Sequence, residues 1–221
     1  MKIIHTSDWH LGRKFYENDL SESFARWGDF LVDLARESQA DAVLISGDVY
    51  DRGIPALQMI ELLEDILARL LDFTQVLITS GNHDSARRLG FAAQFLRDGL
   101  YIQTDSLRSG QPIALKNMQG EIGAIVYGIP YLDPDTERAR LAAGEELLAR
   151  SHSAVIQRAC ALIREDISGG KYSALQVPRI AMAHAFVSGS EKSESELDLS
   201  IGGIDSVPAK LFRLGKKNSA R

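Results

Sequence analysis

Three short apolar segments of this sequence each end in a cluster of side chains that can bind a metal ion. The segments and the clusters that follow them are Lys2–Ser7 with Asp8-Trp9-His10, Ala42–Ser46 with Gly47-Asp48-Val49-Tyr50-Asp51, and Gln75–Ser80 with Gly81-Asn82-His83-Asp84. A fourth apolar segment, Arg179–Ala185, contains His184. Segments this short and apolar, separated by helical patterns, predict the parallel sheet of an α/β fold. Because the carboxyl ends of parallel strands open onto one crevice, the clusters should meet there.

The rest of the chain completes this predicted organisation. Apolar residues at helical spacing predict helices, and their ranges are Ser21–Ser38, Pro55–Leu71 and Gly144–Asp166. Ile113–Leu115 and Ile122–Ile129, separated by turn residues, predict a hairpin in a second sheet. Since no repeat or low-complexity linker interrupts the sequence, we expect one domain over residues 1–212 and a disordered basic tail over residues 213–221.

Composition limits the class of protein. No apolar run approaches the ~20 residues that a membrane-spanning helix needs, so we expect no membrane association. The N-terminal residues do not resemble a secretory signal, and the single cysteine, Cys160, cannot form an internal disulfide. Both observations favour a cytoplasmic location. The net charge of −5 is unfavourable for a DNA-binding protein, but all five bases after residue 205 lie in an acid-free segment. Charge therefore neither supports nor excludes nucleic acid.

The residue types in the clusters indicate the kind of metal site. Each cluster alone is weak evidence, because Gly-Asn is ordinary turn chemistry and a lone His184 is more often a hydrogen-bonded core histidine. Coincidence is a poor explanation for all of them together. Carboxylate, imidazole and amide ligands without thiolate suit Mn²⁺, Fe²⁺ or Zn²⁺, and the two oxygens of Asp48 can bridge two ions. His83 is placed to protonate a departing oxygen, with Asp84 orienting its ring.

The same segments resemble those of a known family. The clusters match the pattern of the calcineurin-like metallophosphoesterase superfamily, which is D-x-H, G-D-x-x-D, G-N-H-D, a lone histidine and G-H-x-H. Longer segments resemble the SbcD family of bacterial double-strand-break repair nucleases, and these are His5–Arg13, Ser46–Arg52, Gly81–Ser85, Ala183–Gly189, Ser193–Glu196 and Ile201–Gly203. The resemblance covers residues 1–212, nearly the whole chain.

This resemblance implies a fold, a site and partners. The fold would be two mixed sheets flanked by helices in an αββα sandwich. One manganese ion would be bound by Asp8, His10 and Asp48, and the other by Asp48, Asn82 and His184. His83 would be catalytic and Asp84 would support it. The implied function is ATP-regulated cleavage of DNA ends and hairpins in repair and recombination, together with an SbcC-type ATPase.

The end of the sequence departs from the family pattern. No histidine follows His184, so the G-H-x-H motif expected shortly after Phe212 is missing. We expect a fold without its C-terminal strands, with weak Mn²⁺ binding and little activity of the chain alone, since even outer-shell losses cost ~10–100-fold in affinity. Two alternatives stay open. They are a catalytically impaired scaffold or dimerisation subunit, and a phosphodiesterase of the same superfamily that acts on small molecules.

Residues around the clusters suggest further contacts. Arg13, Arg52 and Arg87 are candidates for binding DNA phosphates, and the alternative is solvated loop charge or an ion pair with a nearby acid. By analogy with the family, a homodimer is expected, with Phe91–Leu100 as a contributor to its interface.

Overall fold

The computed structural model describes residues 1–16, 18–96, 99–142, 144, 146–188 and 206–214. They form two compact units. The first unit contains Met1–Asp105, Ile113–Tyr131 and Val177–His184. The second unit contains Ser106–Pro112, Leu132–Gln176 and Ala185–Arg221. The single domain over residues 1–212 stays a prediction, and residues 215–221 of the predicted basic tail lie outside the described residues.

The larger sheet of the first unit is parallel throughout. The first six strands along the described chain all belong to the first unit. They are β1 Ile3–Thr6, β2 Lys14–Phe15, β3 Asn18–Asp19, β4 Ala42–Ser46, β5 Gln75–Thr79 and β6 Leu100–Gln103. The sheet has the order β1-β4-β5-β6, and each neighbouring pair is parallel. The short strands β2 and β3 form a separate antiparallel hairpin. The α/β class is therefore confirmed, but the expectation of two mixed sheets is wrong for this sheet, because crossover connections join strands that all run the same way.

The smaller sheet of the first unit is mixed. Its strands are β7 Ile113–Lys116, β8 Ile122–Ile129 and β9 Arg179–Ala183. The predicted hairpin is confirmed, since β7 and β8 pair antiparallel, and β9 pairs parallel with β8. Ala42, Leu44 and Leu77 from the larger sheet form one buried cluster with Leu115, Val126 and Met182 from the smaller sheet. The two sheets of this unit therefore share an apolar core.

The other face of the larger sheet is covered by helices. The helices of the first unit are α1 Ser21–Glu37, α2 Leu57–Leu71 and the short α3 Ala86–Leu89. Because side chains alternate along a strand, Val43 and Ile45 of β4 face away from Ala42 and Leu44 and pack with the buried residues of α1 and α2. Gly28 of α1 lets the two helices approach closely, since a β-carbon there would lie 2.6 Å from Cδ1 of Ile66. This packing fixes the sheet whose strand ends carry the candidate site.

The second unit is mainly helical. It contains α4 Pro134–Ala142 and α5 His152–Gly169, and the short strands β10 Val187–Ser188 and β11 Val207–Pro208 pair parallel. The predicted helix start at Gly144 is wrong. Ser151 has extended backbone and its side chain accepts a hydrogen bond from the Ala154 N–H at 3.2 Å, so it caps a helix that begins one residue later.

The composition predicts no membrane-spanning helix. Among the helices of the described ranges, none has both the length and the apolar character that crossing a membrane requires. The segments Ser193–Glu196 and Ile201–Gly203, which resemble the SbcD family in sequence, lie outside the described residues.

Candidate metal centre

Backbone hydrogen bonds join the segment that follows β1 to the segment that follows β4. The N–H groups of Asp8, His10 and Leu11 donate to the carbonyls of Gly47, Asp48 and Val49 at 3.1, 2.9 and 2.9 Å. The Asp51 N–H donates back to the Leu11 carbonyl at 3.1 Å. Two of the three polar clusters are thus held in a fixed register at the carboxyl edge of the parallel sheet, as the sequence predicted.

Three residues of the predicted metal site have left-handed backbone. The φ angles of Asp8, His10 and Asp48 are +57°, +47° and +50°. For residues other than glycine this region is sparsely populated and costs about 1–3 kcal/mol per residue. Such strain persists where the surrounding structure over-determines it, and it is concentrated at functional sites.

Asp48 lies at the centre of the site and is only 3% exposed. Its Oδ1 accepts a hydrogen bond from the His83 N–H at 2.9 Å. Its Oδ2 lies 3.6 Å from Nε2 of His10 and 3.5 Å from Nε2 of His184. A buried carboxylate needs compensation for its charge, and here one carboxylate oxygen lies within 3.6 Å of the Nε2 atoms of two imidazoles. This is the arrangement expected of a bridging ligand.

His184 presents a lone pair to two oxygen atoms. Its Nδ1–H donates to the Ser46 carbonyl at 2.8 Å, so the neutral ring has an unprotonated Nε2. That Nε2 lies 3.0 Å from Oδ1 of Asn82 as well as near Asp48. In the neutral ring the lone pairs of nitrogen and oxygen converge, and their repulsion is relieved either by a second proton on Nε2 or by a metal ion bound between them. The donor set therefore fits a divalent ion.

His10 also brings its Nε2 close to the carboxylate of Asp48. Its Nε2 lies 3.9 Å from Oδ1 of Asp8, and its ring is mostly buried. Its Nδ1 is buried, has no hydrogen-bond partner among the described residues and lies 3.7 Å from Oδ1 of Asp51. An imidazole that binds a metal through one nitrogen is usually oriented through the other. Asp51 is the group placed to do this.

Ligand atoms of these residues lie close enough to bind more than one ion. Atoms of His10, Asp48 and His83 lie within 4.8 Å of one another, and so do atoms of Asp8, Asp48 and His184. Asp48 belongs to both groups. The structure thus brings together all five predicted ligands, with Asn82 joined to the second group through His184. The grouping differs from the prediction in two respects, since Asp8 falls in the group of His184 while lying 3.9 Å from His10, and His83 is added to the group of His10.

His83 is oriented by a backbone carbonyl and not by the predicted aspartate. Its Nδ1–H donates to the Asp51 carbonyl at 2.9 Å. The carboxylate of Asp84 instead accepts hydrogen bonds from the N–H groups of Val49, Tyr50 and Gly81 at 3.1, 2.9 and 2.9 Å. The expectation that Asp84 orients His83 is therefore wrong, because three backbone donors already occupy its oxygens. Asp84 ties the segment after β4 to the segment after β5.

Tyr50 shows how tightly these segments pack. Burial raises the pKa of Tyr50 to about 12, and the charges of Asp84 and Glu64 contribute to this rise. The phenol therefore stays neutral at physiological pH. Tyr50 is a core residue beside the site.

Two of the three candidate DNA-binding arginines make an ion pair with the same acid. Nε of Arg13 lies 3.9 Å from Oδ1 of Asp51, and Nε of Arg52 lies 3.8 Å from its Oδ2. Both arginines are mostly exposed, at 60% and 83% for their side chains. Exposed pairs at this distance contribute about 0–1 kcal/mol, so a phosphate can compete for these guanidinium groups. Arg87 lies in α3, next to the segment that carries Asn82 and His83.

Sequence reasoning missed the roles of Ser46 and Asp51. Ser46 ends the second apolar segment and Asp51 ends the cluster that follows it, and the spacing of Asp48 and Asp51 in G-D-x-x-D was the available signal for the latter. The backbone carbonyl of Ser46 sets the tautomer of His184. The side-chain Oγ of Ser46 lies 2.7 Å from Nε2 of His5. A carbonyl contact of this kind has no signature in the residue type.

Comparison with known proteins agrees with this geometry. Residues 1–150 match the family described as calcineurin-like phosphoesterase. The chain belongs to the calcineurin-like phosphoesterase family. Membership of this metallophosphoesterase family implies divalent metal ions, and the two ligand groups around Asp48 are where they would be held.

The chain is also similar to a curated protein over almost its whole length. The chain is 32% identical over 216 residues to a protein named as the SbcD component of the nuclease SbcCD, from Staphylococcus saprophyticus subsp. saprophyticus. The match covers 96% of this chain and 53% of the relative, so the chain spans about half the length of that relative. The predicted resemblance to the SbcD family is confirmed by this similarity.

Proposed function

We propose that this chain is the nuclease part of an SbcD-type enzyme and hydrolyses DNA phosphodiester bonds with two divalent metal ions. The observation that carries the proposal is the position of Asp48, whose Oδ2 lies 3.6 Å from Nε2 of His10 and 3.5 Å from Nε2 of His184. Similarity to a nuclease of the SbcCD complex supports DNA as the substrate. The exposed arginines beside the site support it too.

Each ion would have its own set of side chains, with Asp48 shared. One would be held by Asp8, His10 and Asp48, and the other by Asp48, Asn82 and His184. Imidazole, carboxylate and amide ligands without thiolate favour Mn²⁺ over a structural zinc ion. When bound, the ions supply Lewis acidity that polarises the phosphate and lowers the pKa of an attacking water.

His83 is proposed to move a proton at the departing oxygen. The Asp51 carbonyl accepts its Nδ1–H, so Nε2 is the atom that gains a second proton and, in the imidazolium form, passes it to the departing oxygen. The side chain is exposed, and its ring lies edge-on to that of His10 with 4.8 Å between centroids. It is therefore both accessible to substrate and close to the first ligand group. Asp84 supports this step only through the backbone that it holds.

The partners follow from the relative and from the surface. We infer that the chain acts with an SbcC-type ATPase in the cytoplasm, in DNA repair and recombination, since its relative is named as one component of SbcCD. We also infer a homodimer that uses Phe91 and Phe95, whose side chains are largely exposed. Large exposed aromatic residues on one segment are typical of an interaction surface. Phe91→Glu should shift the mass measured by light scattering from dimer to monomer.

The test of this function is cleavage of a hairpin-ended DNA while Mn²⁺ is titrated from chelated to millimolar concentration. Asp48→Asn and His83→Gln should each abolish cleavage, and His152→Gln, a histidine in α5, is the matched control that should leave it unchanged. Bis-p-nitrophenyl phosphate serves as the small-molecule substrate. Cleavage of this compound but never of DNA would indicate a small-molecule phosphodiesterase. Cleavage of neither by the folded chain would favour the scaffold.

A further inference from the structure

The hairpin that follows the first metal-binding cluster presents two aromatic rings to solvent. Gly12, with φ of +93°, turns the chain into strand β2, which pairs antiparallel with β3. Phe15 is 64% exposed and Tyr16 is 86% exposed, and their rings form an edge-to-face pair with centroids 4.9 Å apart. Exposed aromatic residues in a group mark an interaction site. Packing against the core does not explain this pair, since most of both side chains faces solvent.

The backbone of the hairpin is strained at one of these residues. Tyr16 has φ of +56°, a left-handed conformation that is uncommon for an aromatic residue. Such strain costs about 1–3 kcal/mol and is found where a side chain serves a function. The hairpin therefore keeps an exposed ring at an energetic cost.

A groove of about 370 Å³ lies beside the hairpin. Lys14 and Arg52 supply positive charge to its lining, and Leu11, Ile54 and Pro55 supply apolar surface. Lys14 is also the first residue of the hairpin, and Leu11 directly follows His10. The groove is thus continuous in sequence with both the aromatic pair and the metal centre. Since the chain spans at most ~3.6 Å per residue, Phe15 lies within roughly 18 Å of His10.

We propose that the hairpin and this groove bind an unpaired nucleic-acid strand. A base stacks on Phe15 and Tyr16, and the neighbouring phosphates contact Lys14 and Arg52. This proposal rests on the proposed nuclease function and defines the form of substrate that enters the site. Every base has a π-face, and aromatic residues between cations are the combination that binds single strands without sequence preference. In an intact duplex the base faces are covered by their neighbours, so the rings select an opened end over a closed one.

Two DNA probes test this proposal in the presence of chelator, where no cleavage interferes. One is a short single strand with 2-aminopurine at its end, whose fluorescence is quenched by stacking, and the other is a blunt duplex of the same sequence. The Phe15→Ala/Tyr16→Ala variant should bind the single strand on the order of tenfold more weakly and lose the quenching. Its affinity for the blunt duplex should stay within about twofold of the unaltered chain, roughly the scatter of such measurements.

Two further variants serve as a negative control and as a rescue. Phe30→Ala removes another exposed aromatic ring, which lies on α1, and should change neither affinity nor quenching. Phe15→Trp/Tyr16→Trp keeps the stacking surface and should restore both. Unchanged binding and quenching in the alanine variant would overturn the proposal while the nuclease function stands, and so would equal losses on single strand and duplex. If the unaltered chain binds neither DNA, the proposed function itself is contradicted.

Discussion

Gly81 and Asp48 are in such close contact that a β-carbon at residue 81 would stand 2.0 Å from Oδ1 of Asp48 and 2.2 Å from its backbone nitrogen. Only glycine allows this approach. Gly47 is similarly placed, since a β-carbon there would lie 2.5 Å from Nδ1 of His184. The two glycines let three strand ends converge on one carboxylate.

The Gly81→Ala variant should therefore lose metal affinity. The added methyl group displaces Asp48, and we expect Mn²⁺ binding measured by calorimetry to weaken by at least ~10-fold, the effect typical of disturbing the support of a ligand. Gly169→Ala is the matched control, because nothing lies within 4 Å of a β-carbon at that residue. Equal affinities in the two variants would show that the contact between Gly81 and Asp48 does not position the ligand.

The convergence of the ligands could be predicted from the sequence, and the contacts that orient them could not. Strand ends at Thr6, Ser46 and Thr79 follow from apolar runs with polar boundaries, and parallel strands bring their carboxyl ends together. The partner of His83 depends on turn geometry, which delivers three N–H groups to Asp84 and leaves the Asp51 carbonyl for the ring. The left-handed backbone of Asp48 likewise has no signal in local propensity.

A local hydrogen bond also explains why α5 begins later than the sequence predicted. Apolar residues upstream of α5, such as the half-exposed Leu147, continue the helical pattern in the sequence. The cap at Ser151 outweighs this pattern and starts the helix later. Capping is a local hydrogen bond, and periodicity does not reveal which of several serines makes it.

Asp84→Asn should destabilise the fold and the site together. An asparagine has one carbonyl oxygen for the three N–H groups that the carboxylate accepts, and its amide would face donors. Each unsatisfied buried group costs about 1–3 kcal/mol, so we expect a clear fall in the free energy of unfolding measured with urea. Glu61→Gln, a charge loss at an exposed position of α2, should have almost no effect. Equal stabilities of the two variants would show that the hydrogen bonds of Asp84 do not stabilise the contact between the segments that follow β4 and β5.

Arg13→Ala and Arg52→Ala should weaken DNA binding without destabilising the protein. Each guanidinium group is exposed and lies 3.8–3.9 Å from Asp51, so little folding energy is lost. If each contacts one phosphate, the slope of log affinity against log salt should fall by about one per residue. Arg26→Ala, an exposed arginine of α1 that pairs with Glu22, is the control. If the salt slopes of Arg13→Ala and Arg52→Ala equal that of the Arg26→Ala control, these two arginines pair with Asp51 and do not contact DNA.

Cys160 should be inert in the folded protein. The thiol is fully buried, and burial raises its pKa from 9.0 to about 11. Because the folded pKa is the higher one, any stability linked to this thiol is present below pH 9 and is lost as the pH rises towards 11. At about pH 8 the native chain should react with Ellman's reagent at least ~100-fold more slowly than the urea-unfolded chain, since burial also blocks access. Comparable rates would contradict the buried position.

The central claim is that one carboxylate serves two metal ions. Calorimetric titration of Mn²⁺ into the unaltered chain, Asp48→Asn, His10→Gln and His184→Gln tests it most directly. Substitution of Asp48 should remove saturable binding at both sites, whereas His10→Gln and His184→Gln, which belong to different ligand groups, should each weaken one site and leave the other. Asparagine keeps the size of the side chain and an acceptor for the His83 N–H, so a loss would reflect the missing charge. Saturable binding in Asp48→Asn equal to that of the unaltered chain would contradict the account.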